Sequence, residues 1–469
     1  MKKQTKKKLL LAIFIAAMAV FCSAASLQRT NANETDEPEE PKIVDTAIFK
    51  ILSTGDLHGQ ATAYNYETDR EAPESGLTKI ATLVNRTRKS LGTSNTLLLD
   101  AGDFLYDYST NYFYEKRSDV VQPILRMMKS MKYDCITLGN HEFDYPWDYL
   151  TAQLKASGLL EDTVVCNIAY EETMENVFSP SAIITKEVNT SNGNVVTVRI
   201  GVVGATRESL STRRAYYGFL RGSSIYESVK AEAKRLKQKE NVDLVVALIH
   251  GGIGVLSGSN TDTHPGARLA KLDYIDAVIT SHSHEIFPKN DGTYSATAYQ
   301  KIVDEANGLV YGKPVVAAGS HAYGLGVITL NLAIDEDGKI TVGSASSAVT
   351  PVTEKISEVL SLANAFNKYL PELSSNLSSK KYSIAKGMVY TNLDCMVQDN
   401  NLFQIYNNAK LTYANSYLSQ YLPEYENLPV IACTANIVDD RKSYVSISTN
   451  FTSRKISSLI SETSICRDS

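Results

Sequence analysis

The sequence lacks the features that mark several large classes of protein. It has no internal repeat and no basic tract beyond its first eight residues, and its net charge is −5, so no nucleic-acid polymer is expected as a partner. Its six cysteines form no Cys-x-x-Cys pair, which argues against a structural zinc site. No second long apolar run follows the N-terminus, so no stable membrane anchor is expected. A hydrophobic content of 43% and a charged content of 21% are typical of a folded globular protein.

The N-terminus has the pattern of a secretory signal peptide over residues 1–25. Five lysines in MKKQTKKK precede 14 apolar residues, and small residues follow at 23–25, where signal peptidase could cleave. Phe21 before Cys22 fits a lipoprotein processing site poorly, so a lipid anchor is not expected either. Residues 26–45 are acidic and contain proline, which predicts a flexible lead-in. We therefore expect a protein that is secreted or periplasmic after cleavage.

The length of 469 residues favours two domains. Over residues 46–350, short apolar runs that end in polar or glycine-rich turns alternate with helix-like patterns such as LTKIATLVNRTRKSLG, which predicts an α/β layered domain. KPVVAAG and LGVITLNLAID are predicted to form its final strand pair. A connecting helix is predicted at 351–379. Residues 380–469 differ in character, being rich in Asn, Ser and Tyr.

Polar residues collect where the predicted strands of the first domain end. Five of the seven histidines are among them, and open α/β sheets place ligand sites at the carboxyl ends of their strands. Carboxylate, amide and imidazole ligands without thiolates suit Mn, Zn, Fe or Co. Two such ions sharing one carboxylate can hold phosphate oxygens and activate a water for in-line attack. The residues concerned are Asp56, His58, Asp103, Asn140, His141, Asp144, His250, His282 and His284.

Single motifs in this set carry little weight, since triplets such as GNH are also typical of turns and helix caps. The joint pattern, with each motif at a strand end, favours a metal site. Gly102 before Asp103 would allow a close backbone approach. The two remaining histidines are assigned no ligand role. His264 lies in a turn-like stretch and is expected to be exposed, and His321 is expected to be structural or near the rim of the site.

The motif order, from TGDLHG and AGDF through GNHEFD to TSHSHE, resembles the calcineurin-like metallophosphoesterases of the 5′-nucleotidase family. Within that family it is most similar to the bacterial 2′,3′-cyclic-nucleotide 2′-phosphodiesterase/3′-nucleotidases. The similarity covers roughly residues 47–460 and is weak after 351. It implies a four-layer α/β/β/α metallophosphoesterase domain followed by an α+β substrate domain, of which residues 380–469 match only the opening part.

The resemblance also assigns roles to the polar residues. Asp144 stands where the cyclic phosphodiesterases often have Asn, and Ser281 stands where a glycine is usual. His141 with Asp144 would stabilise the transition state and the leaving group. One metal ion would be held by Asp56, His58, Asp103 and His284, and a second by Asp103, Asn140, His250 and His282, with Asp103 as the bridge.

The function expected from the resemblance is hydrolysis of nucleotides to nucleoside and phosphate through a metal-activated hydroxide. Substrates would be 2′,3′-cyclic nucleotides, 3′-nucleotides or 5′-nucleotides, and the cofactors two divalent metal ions. The resemblance also implies a pair of aromatic residues in the substrate domain that stack on the nucleobase, and no such pair is recognisable in residues 380–469. Two alternatives therefore stay open: a phosphoesterase of broad specificity, and an inactive secreted binding protein. The preferred nucleotide, the native metals and the oligomeric state are left open.

Overall fold

A computed structural model describes residues 42–66, 70–209, 218–254, 263–292 and 301–378, together with short segments between 380 and 452. The predicted signal peptide and most of the predicted lead-in lie outside these residues. The lead-in prediction extended to residue 45, but the first strand already begins at Ile43.

The described secondary structure up to residue 378 mixes strands and helices. The two alternate in places, as the sequence pattern predicts, but only strands are described between Ala277 and Pro351. The strands are β1 (Ile43–Thr54), β2 (Tyr64–Asn65), β3 (Arg70–Glu71), β4 (Thr96–Asp100), β5 (Cys135–Ile136), β6 (Ile168–Tyr170), β7 (Ser181–Asn189), β8 (Val195–Ala205), β9 (Leu220–Gly222), β10 (Leu244–Ile249), β11 (Ala277–Thr280), β12 (Ile286–Phe287), β13 (Val303–Asp304), β14 (Leu309–Val310), β15 (Lys313–Ala318), β16 (Gly324–Asp335), β17 (Ile340–Pro351), β18 (Lys380–Ser383), β19 (Tyr390–Thr391), β20 (Val445–Ser446) and β21 (Asn450–Thr452). The helices are α1 (Leu77–Leu91), α2 (Tyr108–Lys116), α3 (Pro123–Met131), α4 (Trp147–Ser157), α5 (Ile225–Gln238), α6 (Gly266–Ala270), α7 (Leu360–Asn367), α8 (Leu370–Ser378) and α9 (Asn401–Tyr421), with 3-10 turns at Glu142–Asp144, Leu160–Asp162 and Pro423–Tyr425.

Two mixed sheets form the centre of the first domain. The first has the strand order β17-β16-β1-β4-β5, and β1 runs parallel to β4, which runs parallel to β5. The second has the order β13-β14-β15-β11-β10-β8-β7, in which β8, β10, β11 and β15 are parallel, and β12 pairs with β15. In each sheet, therefore, the carboxyl ends of several strands meet at one edge.

Alternate side chains of the strands face two different cores, as the two-residue period of a strand requires. Leu97 and Leu99 of β4 pack into the core between the two sheets, whereas Leu98 faces the core beneath α1, α3 and α4. In β10, Val246 faces the core between the sheets and Val245 faces α5. Helices thus cover the outer face of each sheet, and the four-layer α/β/β/α prediction is confirmed.

Helix α1 shows how local sequence sets this packing. The apolar residues Leu77, Ile80 and Val84 lie on one stripe and are all buried in the outer core of the first sheet. Gly76 precedes the helix at φ 115°, and a Cβ there would lie 2.6 Å from the backbone carbon of Thr62. Only glycine allows that close approach without strain.

The pairing predicted for KPVVAAG and LGVITLNLAID is wrong. These segments form β15 and β16, and β15 belongs to the second sheet while β16 lies between β1 and β17 in the first. The chain crosses from one sheet to the other between them, which a pattern of local hydrophobicity does not reveal. In place of the single connecting helix expected at 351–379 there are two helices, α7 and α8. Pro371 lies in the first turn of α8, where its missing N–H breaks no helical hydrogen bond.

Helix α8 packs on the first domain. Glu372 of this helix accepts a hydrogen bond from the hydroxyl of Tyr112 (2.6 Å) and pairs with Arg117 (2.9 Å). Beyond it, the structure describes α9 and four short strands of the predicted substrate region. Among the described residues, no helix has the length and apolar character needed to cross a membrane.

Candidate metal centre

Loops that follow five strands meet where the two sheets present their carboxyl ends. From the first sheet, β1 leads to Asp56 and His58, β4 leads to Asp103, and β5 leads to the loop beginning at Gly139. From the second sheet, β10 and β11 lead to the three remaining histidines of the predicted set. The structure thus brings together the nine residues singled out from the sequence.

The first of two groups able to hold a metal ion consists of Asp56, His58 and His284, whose ligand atoms lie within 4.8 Å of one another. The Asp56 oxygen Oδ2 accepts hydrogen bonds from the Ser281 hydroxyl (2.6 Å) and from the backbone N–H of His282 (2.8 Å). Its other oxygen, Oδ1, is buried without a hydrogen-bond partner and faces His284 Nε2 at 3.9 Å. A buried carboxylate oxygen in this state is costly unless a cation meets it.

The imidazoles of the first group complete a suitable donor set. His58 Nε2 and His284 Nε2 lie 3.0 Å apart. Burial holds the pKa of His58 well below its usual range and lowers the pKa of His284 to about 4, so both rings are neutral near pH 7. Neutral imidazole is the form that binds metals. One carboxylate and two neutral imidazoles fit a divalent transition-metal ion.

The second group consists of Asp103, His250 and His282. The Nδ1–H of His250 donates to the backbone oxygen of Ala101 (2.8 Å), which directs Nε2 into the site. That Nε2 lies 3.1 Å from Asp103 Oδ2 and 3.2 Å from Asn140 Oδ1. Asn140 therefore adds an amide oxygen to the group, and this donor set also fits a divalent ion.

The charges of the second group are strongly coupled. Burial opposes ionisation of Asp103, but His250 and other nearby histidines lower its pKa well below the usual range. Burial likewise opposes a charge on His250, but the Asp103 carboxylate raises the pKa of His250 to about 9. Burial lowers the pKa of His282 to about 2. Near pH 7 the metal-free group therefore holds an ionised Asp103 carboxylate against a protonated His250, with a neutral His282 beside them.

The predicted dyad lies beside both groups. His141 Nδ1 and Asp144 Oδ2 are 2.5 Å apart across one 3-10 turn. The backbone N–H of His141 donates to Asp103 Oδ1 (2.7 Å), which ties the dyad to the second group. The His141 ring also lies edge-on to that of His58, with centroids 5.4 Å apart. The imidazole is thus held between the two groups.

The loops of this centre carry unusual backbone conformations. Left-handed φ angles at non-glycine residues cost of order 1–3 kcal/mol each and tend to cluster at functional sites. Gly102 adopts φ 88°, and a Cβ there would lie 2.3 Å from the backbone nitrogen of Gly139, so the expected close approach is present. The non-glycine residues of the two groups in this conformation are Asp56 (48°), His58 (42°), Asp103 (57°), His282 (72°) and His284 (56°).

The two histidines that were assigned no ligand role also lie at the centre. His264 is half-buried rather than exposed, accepts the N–H of Gly252 at Nδ1 (3.0 Å) and places its ring 6.0 Å from that of His282. His321 places its ring 5.1 Å from that of His58. His321 follows β15 as the other histidines follow their strands, and this signal could have identified it. For His264 no local signal exists, because its contact with Gly252 joins two residues that lie 12 positions apart in the sequence.

Two further residues support the centre without belonging to either group. Ser281, which stands where the resemblance leads one to expect glycine, donates its hydroxyl to Asp56. Glu142 is fully buried and accepts three backbone N–H bonds, from Asp103 (2.9 Å), Leu105 (2.9 Å) and Gly139 (2.7 Å). Sequence reasoning gave Glu142 no role, although it lies within GNHEFD.

These features define a candidate two-metal centre at the carboxyl ends of the strands of a four-layer α/β/β/α fold. Residues 49–285, just over half of the chain, match the family described as calcineurin-like phosphoesterase, and the chain belongs to that family.

Known relatives extend the likeness beyond the matched segment. The chain is 27% identical to the trifunctional nucleotide phosphoesterase protein YfkN of Bacillus subtilis, over 92% of this chain and 29% of that protein. It is 27% identical to a 2′,3′-cyclic-nucleotide 2′-phosphodiesterase/3′-nucleotidase of Haemophilus influenzae, over 88% of this chain and 62% of that protein. The crystal structure of YfkN superimposes with a TM-score of 0.64 at 28% identity, covering 70% of this chain. The chain thus spans less than two thirds of the length of these curated relatives.

Proposed function

We propose that this chain hydrolyses phosphate esters of nucleotides to nucleoside and phosphate with two divalent metal ions. The observation that carries the proposal is the meeting of the two donor groups with the His141–Asp144 dyad beside Asp103. Substrates of the same chemical class appear in the names of both relatives. The signal-peptide pattern at residues 1–25 supports action outside the cytoplasm.

Each of the two donor groups would hold one ion. Asp103 would contribute to both ions, because its two oxygens lie between the dyad and His250. When bound, a pair of Mn, Zn, Fe or Co ions would polarise the phosphoryl oxygens and lower the pKa of an attacking water. One ion would be held by Asp56, His58, Asp103 and His284, and the other by Asp103, Asn140, His250 and His282.

The dyad supplies the chemistry of the leaving group. Asp144 accepts a hydrogen bond from Nδ1–H of His141, which orients the ring and places a carboxylate beside it. The second nitrogen, Nε2, is then the donor that contacts a phosphoryl oxygen or passes its proton to the departing ribose oxygen. A ribose alkoxide is a poor leaving group. Proton transfer to it therefore lowers the barrier more for nucleotides than for aryl phosphates such as p-nitrophenyl phosphate.

The test uses the full chain, purified and supplied with Mn²⁺, and follows release of phosphate or nucleoside. The substrates are 2′,3′-cyclic AMP, 3′-AMP, 5′-AMP and p-nitrophenyl phosphate, with EDTA and His141→Ala as controls. We expect metal-dependent turnover that EDTA abolishes and that His141→Ala lowers by about 10²- to 10⁴-fold.

The ranking of the substrates then determines the specificity. A preference for one of the three adenosine nucleotides assigns the substrate class, and equal turnover of p-nitrophenyl phosphate indicates the broad-specificity alternative. A folded protein that binds both ions and hydrolyses none of the four esters, including no opening of the 2′,3′-cyclic AMP ring to AMP, would contradict the proposal.

A further inference from the structure

A tyrosine outside the predicted set covers one face of the dyad histidine. The rings of Tyr106 and His141 are stacked, with centroids 3.9 Å apart and planes inclined by 17°. Tyr106 is half-buried and belongs to neither metal group. It follows Asp103 by three residues, so the same loop that carries Asp103 also carries the stacking ring.

The loop holds Tyr106 in a conformation that tyrosine rarely adopts. Its φ is 76°, in the left-handed region where a non-glycine residue is strained. The N–H groups of Tyr106 and Asp107 both donate to Thr110 Oγ1, at 3.0 and 2.9 Å. Asp107 in turn caps α2 by accepting the N–H of Thr110 (2.7 Å). The helix cap thus secures a backbone geometry that glycine would adopt more easily.

The contacts of His141 show what the stacked ring adds. The hydrogen bond from Nδ1 to Asp144 holds one edge of the imidazole, and the remaining small rotations of the ring about its Cβ–Cγ bond are limited by whatever packs against its faces. The Tyr106 ring, nearly parallel to the imidazole, restricts this rotation and covers that face of the ring. Edge and face together define where Nε2 points.

We propose that Tyr106 is a positioning residue, which holds the plane of the His141 imidazole so that Nε2 is aimed at the leaving oxygen. The inference rests on the proposed function for its kinetic consequence, but the stack itself can be tested without turnover. Its effect is largest for substrates whose leaving oxygen needs a proton. A p-nitrophenolate departs readily without one, so its release depends less on the aim of Nε2.

Three variants separate the ring from the backbone. Tyr106→Phe keeps the stacking ring and loses only the hydroxyl. Tyr106→Gly removes the ring and relieves the positive φ, so a loss of activity in this variant is not explained by new backbone strain. Tyr106→Asn also tolerates the left-handed conformation and replaces the glycine variant if that variant unfolds more readily than the parent.

The first readout is the NMR signal of the His141 ring protons in the metal-free protein, identified by its loss in His141→Ala. Stacking on an aromatic face shields these protons, so we expect an upfield position in the parent and in Tyr106→Phe. The signal should move downfield in Tyr106→Gly or Tyr106→Asn. An unchanged His141 signal in both ring-less variants overturns the proposal, whether or not the parent turns over any ester.

The second readout is the dependence of kcat on the leaving group. We expect Tyr106→Gly to lower kcat for 3′-AMP by about 10- to 100-fold with little change in KM, and to lower kcat for p-nitrophenyl phosphate much less. Tyr106→Phe should stay close to the parent on both substrates. In the His141→Ala background, Tyr106→Gly should have no further effect, because the two residues act as one unit.

The outcomes distinguish this inference from the function on which it rests. Equal losses on both substrates, or effects of Tyr106→Gly and His141→Ala that simply add, would overturn the positioning role and leave the phosphoesterase activity standing. A parent without turnover on any ester would contradict the proposed function, and the NMR comparison would still decide whether Tyr106 stacks on the imidazole.

Discussion

The two metal groups differ in how much of their structure the protein itself completes. In the second group, His250 is fully buried, and its two nitrogens contact the Ala101 oxygen and the Asp103 carboxylate. In the first group, the His284 side chain is 46% exposed, and the carboxylate of Asp56 keeps one buried oxygen without a hydrogen-bond partner. The second group is therefore held together by contacts within the protein, whereas the first depends on a cation to satisfy it.

This difference indicates that the two groups contribute differently to stability and to metal binding. A group with internal partners keeps its geometry when the ion leaves, and its ligands also support the fold between the two sheets. A group with an unmet carboxylate gains more from the ion but can rearrange without it. We therefore expect changes in the second group to affect stability, and changes in the first to affect metal affinity.

The largest effect is expected for Asp103→Asn, which removes the carboxylate proposed to bind both ions. Asp103 contacts His250 through one oxygen and the His141 backbone through the other, so loss of its charge removes the proposed shared ligand. We expect the variant to lose both ions and kcat to fall by about 10³-fold or more. Mass spectrometry after gel filtration measures the number of bound ions, and steady-state kinetics measures kcat.

The matched control is Asp144→Asn, the same chemical change just outside the two groups. It should lower kcat through the dyad and retain both ions. If Asp103→Asn kept two bound ions as well, a shared ligand at this position would be excluded.

The next largest effect contrasts His250→Ala with His284→Ala. Removing His250 leaves the carboxylate of Asp103 buried without its main partner, which typically costs about 3–5 kcal/mol of unfolding free energy. Removing the half-exposed His284 should change the stability of the metal-free protein by less than about 1 kcal/mol. It should instead weaken binding of one ion by roughly 10- to 100-fold or more.

Urea unfolding in EDTA and calorimetric metal titration measure these two quantities separately. Equal destabilisation of the metal-free protein by the two variants would show that the groups do not differ in the way their contacts suggest.

A smaller effect is expected at Ser281, which supports the first group only. In Ser281→Ala, Asp56 loses one of the two hydrogen bonds to Oδ2 and keeps the N–H of His282. The affinity of the first group should fall by roughly tenfold, while the second group binds as before. Ser283→Ala is the control, because the Ser283 hydroxyl bonds to Glu285 on the same loop and not to Asp56. Equal metal affinities of the parent and Ser281→Ala would show that the Ser281 hydroxyl does not support the first group.

Much of this centre could be predicted because its signal is local. Each of the nine residues follows an apolar run by a few positions, and parallel strands bring such positions to one edge of a sheet. The sequence reasoning therefore anticipated which residues meet, and their individual roles as ligands stay predictions. The four-layer fold was likewise anticipated, through the resemblance.

What could not be predicted depends on long-range geometry. The left-handed φ angles of residues such as Asp56 and Asp103 are set by the loops that cross above the sheets, and no propensity signals them. The placement of β15 and β16 in different sheets and the return of His264 to the site are also long-range. Glu142 was missed because a glutamate after Asn-His gives no sign that it turns inward and is fully buried.

Glu142 also gives the smallest predicted effect, a dependence of the free energy of unfolding on pH. Burial and the nearby Asp103 raise the pKa of Glu142 from 4.5 to about 8 in the metal-free protein. A group whose pKa is raised on folding stabilises the fold below its unfolded pKa, and this stabilisation is lost as the pH rises through the folded pKa. In Glu142→Gln the side chain cannot titrate, but an amide hydrogen faces one of the three backbone donors.

We therefore expect the parent to exceed Glu142→Gln in unfolding free energy at pH 4.5, and this advantage to shrink steadily up to about pH 8. Urea unfolding of both proteins in EDTA at four pH values measures the difference, in which titrations common to both proteins cancel. A difference that stays constant over this range would mean that Glu142 is ionised throughout. The three N–H bonds would then outweigh burial, and the carboxylate would add a fixed negative charge beneath the second metal group rather than a titrating one.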